Sequence, residues 1–319
     1  MDAAPGVAVS NDSEDVMRMR GLLGALAIVA SCWGVAVFTQ QPAAAQIPAD
    51  QAANPNAVRV YIRAGLKTHN VGFHDYPQFI ADWSKVLQDR GAIVDGSLHF
   101  PTAAELANVD VMVWYKGDMG YFTSEEKATL DAFVKRGGGI VSIHDSLCGP
   151  DPAYIATVVG GGKKHGERNF SAGEMAYTIT DKSHPIMQGM SDFKIQDEAF
   201  MRMTWAPSGI HALATVPMPQ GEQKGEVVPQ IWTYEHTVAG GQPARAFVWM
   251  QGHTYTNFAD ANLQSMLLRG IAWAAKKPVD SLAKVVTNEN RGRGIGGSDI
   301  VVPQGGSDRP AGGGRGGRN

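Results

Sequence analysis

Residues 109–143 allow few folds. Val109-Asp-Val-Met-Val-Trp-Tyr115 is a continuous apolar run, which suits a strand covered on both faces. Thr123-Ser-Glu-Glu126 then spells a capping box, Leu130, Phe133 and Val134 form one buried stripe, and Lys135 and Arg136 suit the negative helix end. Gly137 supplies a left-handed stop, and a second apolar run follows at 140–143. A strand, a helix and a strand of this kind close as a parallel pair with a right-handed crossover.

The same pattern precedes this unit. Val58-Arg-Val-Tyr-Ile-Arg63 reads as the first strand. A helix opens near Asp75 and Pro77, places Phe79, Ile80, Trp83, Val86 and Leu87 on one face, and ends at Gly91 before a strand at 92–95. The β-α-β-α-β order predicts a three-layer α/β fold around a mostly parallel sheet. After residue 150 the strands expected at 175–179, 212–216, 230–234 and 246–250 have no long helices between them, which predicts an antiparallel extension. A last helix over about 260–276 puts Leu263, Met266, Leu267 and Ile271 on one face.

Of the 319 residues 44% are hydrophobic and 18% charged, enough apolar material for a large core in one or two domains. The formal net charge of −3 gives the bulk of the chain no electrostatic reason to seek nucleic acid or an anionic membrane. Residues 1–45 read as an export signal: Arg18 and Arg20 precede an apolar run from Gly21 to Phe38, and Ala43-Ala-Ala45 offers the cleavage site. The alternatives are a retained membrane anchor and a lipoprotein cut before Cys32. All three export the domain to the periplasm or beyond, and a membrane is a partner only under the last two. A linker is expected over 46–56, one domain over 57–278 and a disordered Gly/Arg-rich tail over 279–319. From Arg291 onward that tail has 11 glycines and five arginines. After cleavage Cys148 is the sole cysteine, expected as a buried small residue, and no intramolecular disulfide can form.

Two apolar strands end abruptly in histidine, Ile140-Val-Ser-Ile-His144 and Phe247-Val-Trp-Met-Gln-Gly-His253. Ligands of open α/β sheets bind at the carboxyl ends of strands, so the two histidines point to one site. His69 and His74 flank the loop after the first strand, where both could reach one ligand. Asp145 and Gln251 accompany the strand-end histidines, and Asp197-Glu198 offers carboxylates for acid/base work unless it is a solvated pair. Gly160-Gly-Gly-Lys-Lys-His165 lacks the order of a phosphate loop and reads as a loop bringing His165 over the pocket. Tyr255 and its neighbours suit a polyol, and Tyr115 either stacks on a sugar or fills the core.

The ordered set of Gly-Gly-Gly-Ile-Val-Ser-Ile-His144, Ser-His-Pro-Ile-Met-Gln-Gly-Met190, Asp197-Glu198, Gln-Gly-His253 and Arg-Gly-Ile-Ala-Trp-Ala274 resembles the ThuA-like (trehalose utilisation) family, within the class I glutamine amidotransferase-like superfamily, over about 57–278. The resemblance implies a flavodoxin-like α/β/α sandwich and a role linked to disaccharides oxidised at C3. It does not imply glutaminase activity, which needs a cysteine at the sharp turn where His144-Asp145-Ser146 stands. His253 falls near the superfamily's catalytic histidine, with Tyr255 in place of the usual acidic partner.

The expectation is an exported protein acting on a small carbohydrate, a glycoside or 3-keto-glycoside. His253 and His144 would serve as acid and base with Asp197 or Glu198 assisting, and His69, His74, Tyr115, Asp145, His165, Gln251 and Tyr255 would bind substrate. No cofactor is demanded, but a divalent metal held by some of His69, His74, His144 and Glu198 is the alternative route to a polarised ketone. The rivals are a non-catalytic sugar-binding module and an esterase or amidase using Ser146 or Cys148, although the Gly-x-Ser-x-Gly elbow is missing.

Overall fold

A computed structural model describes residues 56–285 of the chain; the expected export segment, nearly all of the linker and most of the tail lie outside the described residues. The first half builds β1 (Arg59–Ala64), α1 (Tyr76–Gln88), β2 (Ile93–Ser97), α2 (Ala103–Leu106), β3 (Val111–Tyr115), α3 (Ser124–Lys135) and β4 (Gly139–Ile143). Then come β5 (Cys148–Gly149), α4 (Pro152–Val159), β6 (Gly161–Lys164), β7 (Phe170–Ile179), β8 (Phe193–Phe200) and β9 (Thr204–Trp205). The chain continues through β10 (Ile210–Pro217), β11 (Val227–Thr237), β12 (Pro243–Trp249) and α5 (Ala261–Ala274).

Nine strands form one sheet in the order β2-β1-β3-β4-β12-β11-β10-β7-β8. The strands from β2 to β12 are parallel and the other four antiparallel, so the expected extension is nearly half the sheet. A small second sheet joins β5, β6 and β9. Side chains alternate across the strands, which sorts the core into two layers. Val60, Ile62, Val113, Val141, Phe247 and Trp249 pack against α1 and α5. Tyr61, Met112, Trp114, Ile140 and Val248 pack against α2, α3 and α4. This is the three-layer α/β/α sandwich that the alternation of strands and helices predicts.

The capping box of α3 forms as spelled, with Thr123 Oγ1 accepting from Glu126 N at 3.2 Å and Glu126 Oε2 accepting from Thr123 N at 2.9 Å. Helix α5 lies so close to β12 that a Cβ on Gly270 would sit 2.3 Å from the ring of Phe247. Three elements depart from the sequence expectation. Helix α4 has buried Ile155, Ala156, Val158 and Val159 in eight residues and so lacks the polar face that marks an amphipathic helix. Strand β8 has Asp197 at a buried position, which breaks its alternation. Beyond residue 278, Val279–Leu282 forms a 3-10 turn with Leu282 buried, so packing extends past the expected domain end.

Although β8 lies at the sheet edge, its carboxyl end is tied back toward the centre. Gln230 Nε2 on β11 donates to the Phe200 carbonyl at 2.8 Å, and Gln251 Nε2 donates to the Glu198 carbonyl at 3.1 Å. These amides bring Asp197 and Glu198 to the ends of β4 and β12.

Candidate functional site

The loops after β1, β3, β4 and β12 meet at the carboxyl edge of the sheet. Six non-glycine residues among those described have positive φ, and four of them are here: His69 (61°), His74 (48°), Asp118 (53°) and His144 (52°). Such conformations cost on the order of 1–3 kcal/mol each and persist where the surroundings over-determine them. Their concentration at one edge marks the site.

Each histidine is placed by its own local device. His144 begins a 3-10 turn directly after β4; its buried ring stacks on Phe200 at 4.9 Å and its Nδ1–H donates to the Met250 carbonyl at 3.0 Å. The loops bearing His74 and His253 are clipped together, with His74 N donating to the His253 carbonyl at 3.0 Å and Tyr255 N to the Gly72 carbonyl at 2.8 Å. The His253 turn rests on Asp197, whose carboxylate accepts from the backbone N–H of Gly252, His253, Thr254 and Glu198 and from Asn257 Nδ2. Gly252 has φ 141°, and a Cβ there would lie 3.0 Å from Ile143 and 3.2 Å from His144.

Three ring nitrogens converge. His74 Nε2 lies 2.9 Å from His144 Nε2 and 2.8 Å from His253 Nδ1. The Met250 carbonyl can only accept, so His144 carries its proton on Nδ1 and turns a bare Nε2 inward. The hydroxyl of Thr68, 3.0 Å from His74 Nδ1, can do the same for His74. One proton cannot serve both contacts of His74 Nε2 well, whereas a cation at the meeting point would satisfy all three lone pairs. His74, His144 and His253 are thus the donor set that fits a metal ion. Burial, reinforced by the neighbouring His144, pushes His74 down to about 2 and His253 down to about 4, so both rings are neutral donors at pH 7.

Two carboxylates flank the histidines. Asp145 Oδ2 lies 3.7 Å from His74 Nε2, and Glu198 Oε2 lies 3.6 Å from His253 Nδ1 and 3.9 Å from His144 Nε2. Burial raises the Asp145 carboxyl, but His144, His74 and Lys163 outweigh it and hold the group below its ordinary range. Burial raises Glu198, with His144 opposing.

The other sequence candidates are distributed around this centre. His69 stacks edge-on against His74 at 4.1 Å but is outside the converging set, where His253 stands in place of the expected His69, and Glu198, also expected as a ligand, flanks the set. His165 lies at the rim, paired with Asp118 at 2.6 Å. Four residues stand behind the site as braces: Asp197, Tyr115 donating to the Gly252 carbonyl, Gln251 donating to Gln230 at 2.9 Å, and Tyr255 donating to Asp82 at 2.7 Å. The hydroxyls of Tyr115 and Tyr255 are taken up by the protein, against the expectation that they face a substrate, whereas Gln251 spends only its amide nitrogen and keeps a buried Oε1 without a partner among the described residues. The esterase reading is corrected as well. Buried Ser146 Oγ accepts from Lys116 N and donates to the Lys116 carbonyl, and burial, with Asp145 beside it, raises the Cys148 thiol well above its ordinary value. Sequence reasoning missed Thr68, Tyr76, Asp118, Lys163 and Phe200. The Lys163 signal was present in Gly-Gly-Gly-Lys-Lys, which fails as a phosphate loop but still places a lysine next to the pocket.

A family model described as ThuA, trehalose utilisation, matches residues 42–274. Among solved structures, a ThuA-like protein from Parabacteroides merdae is 21% identical with a TM-score of 0.53, over 73% of this chain and 92% of that one. A ThuA-like protein from Bacteroides uniformis is 16% identical with a TM-score of 0.54, over 75% of this chain and 100% of that one. At these identities the likeness shows the fold alone. A search of the curated proteins gives no match.

Proposed function

Since the chain belongs to the ThuA family, we propose that it is a metal-dependent enzyme acting on a small glycoside or 3-keto-glycoside. The observation that carries this reading is the meeting of three imidazole nitrogens, with His74 and His144 both held on positive-φ backbone. Three imidazoles suit a first-row divalent ion such as zinc, which would lend Lewis acidity to a carbonyl oxygen of the substrate.

The chain's own residues supply the rest. A ketone at C3 makes the hydrogen at C2 acidic, so that one carboxylate can remove it as the C1–O bond breaks and a second group protonates the leaving oxygen. Asp145 beside His74 and Glu198 beside His144 and His253 are the two groups positioned for these transfers. With His144 and His253 serving as ligands, proton movement passes from the histidines to the carboxylates. Export, read from residues 1–45, is part of the proposal and places the reaction outside the cytoplasm. No helix among the described residues is long and apolar enough to cross a membrane.

The test is metal analysis of the full chain by plasma mass spectrometry, with turnover of glycosides and their 3-keto derivatives followed with and without a chelator and in His253→Ala. About one ion per chain is expected, with selective loss of a keto-glycoside that chelation and the variant both abolish. Saturable sugar binding without turnover would favour the binding-module reading. A chain that holds no metal and consumes no member of the panel would sink the proposal.

A further inference from the structure

Strand β6 buries a lysine. Lys163 is 6% exposed, yet its ammonium meets no oxygen acceptor among the described residues. It lies 3.9 Å from Cys148 Sγ and 4.2 Å from the centre of the Phe200 ring, the same ring that stacks on His144. A thiol and a ring face are weak substitutes for oxygen around a desolvated cation.

A second buried donor lies close by. The hydroxyl of Tyr76, on a residue 1% exposed, makes no hydrogen bond of ordinary geometry among the described residues, Thr68 being the side chain near enough to act on it. Lys163 borders Cys148, whose Sγ is 3.5 Å from Asp145 Oδ1, and the Tyr76 ring lies 5.2 Å from the ring of His74. Asp145 and Cys148 act electrostatically on Tyr76, and Lys163 acts on both of them. Gly117 passes close to the phenol, and a Cβ there would come within 3.2 Å of its oxygen. Asp145 Oδ2 is itself 3.7 Å from His74 Nε2, so this group adjoins the histidine centre.

Buried polar groups in native proteins are nearly always satisfied, and exceptions call for a partner that the protein itself does not supply. We propose that Lys163 and Tyr76 form an oxygen-binding subsite beside the histidine centre, their ammonium and hydroxyl donating to a hydroxyl or carbonyl oxygen of the bound polyol. The ligand's identity rests on the sugar reading above. The presence of two buried donors that meet no oxygen acceptor of ordinary geometry does not.

Three full-length proteins decide it: the wild type, Lys163→Met and Tyr76→Phe, each variant removing a polar atom while keeping the volume. Thermal unfolding without ligand is measured first, then calorimetric binding of trehalose, methyl α-glucoside and its 3-keto derivative, then zinc retention. Lys163→Met is expected to change the Tm by no more than about 4 °C, because the lost attraction to Asp145 and Glu198 offsets the relief of an ammonium without an oxygen acceptor, and Tyr76→Phe to leave it equal or higher. Zinc retention stays unchanged, and affinity for whichever sugar the wild type binds falls at least tenfold in each variant. A Tm lowered by more than about 4 °C in Lys163→Met would mean that the ammonium is already satisfied, and overturns the subsite. Equal sugar affinity in all three proteins overturns it too. If the wild type binds none of the sugars while Lys163→Met keeps its stability, the sugar reading fails and the subsite stands for another oxygen ligand.

Discussion

A single hydroxyl governs which nitrogen of His74 is bare. Thr68 Oγ1 lies 3.0 Å from His74 Nδ1 and 3.1 Å from His69 Nδ1, so it can accept from the first ring and donate to the second. That arrangement fixes the proton of His74 on Nδ1 and leaves Nε2 open toward His144 and His253. Groups that orient a metal-binding histidine through its other nitrogen typically contribute 10- to 100-fold in affinity. Thr68→Val keeps the shape and removes the acceptor, so zinc affinity should fall by about that factor while Thr68→Ser retains it. Competition against a chelating dye reads the difference. Equal affinity in Thr68→Val would show that the tautomer is set elsewhere.

At the scale of the element, the turn after β12 is the most constrained piece of the site. It is held by Asp197 from below and by Tyr115 from the side, and Gly252 passes close to Ile143 and His144 at φ 141°. Gly252→Ala meets both the crowding and the backbone strain, and should cost about 1–3 kcal/mol of stability in urea titration and weaken metal binding more than tenfold. Normal metal binding in that variant would mean that the turn tolerates displacement. What the sequence makes legible follows the same physics. Strand β3 and helix α3 carry their signals locally, in an unbroken apolar run and a pair of caps. His144 and His253 are legible as polar residues ending apolar strands. His74 is grouped with His144 from the sequence, but its partnership with His253 is not legible, because it depends on backbone bonds between residues 72–74 and 253–255, far apart in the chain. Tyr115, Gln251 and Tyr255 have the chemistry of ligand-binding groups, but the same hydrogen-bonding capacity braces a turn, and composition cannot tell the two uses apart. Strand β8 escapes detection because Asp197 serves five N–H groups at a position where alternation leads one to expect an apolar side chain.

For the whole molecule, two buried neutral histidines, His74 and His253, tie folding to pH. In the folded chain His74 and His253 resist protonation down to about 2 and about 4, whereas unfolded histidines take up protons near 6.5. Below that pH the unfolded state binds more protons, so stability falls as pH drops and is flat above about 7. With metal removed, urea titrations should show stability decreasing from pH 7 to pH 5, by at most about 1.4 kcal/mol per pH unit for each of the two histidines. Asp197 and Glu198, raised by burial, act in the opposite sense nearer their own range and reduce the slope. Stability that holds steady or rises toward pH 5 would contradict the neutral cluster. The position of β12 has a consequence in time. It occupies the middle of the sheet between β4 and β11, and His253 reaches His74 across 179 residues of sequence. A chain emerging from its N-terminus has β1 to β4 available early, but a gap stays open beside β4 until nearly the whole domain has appeared. The histidine site therefore closes last, and if it takes a metal as proposed, capture of the ion would signal that the polypeptide has finished folding.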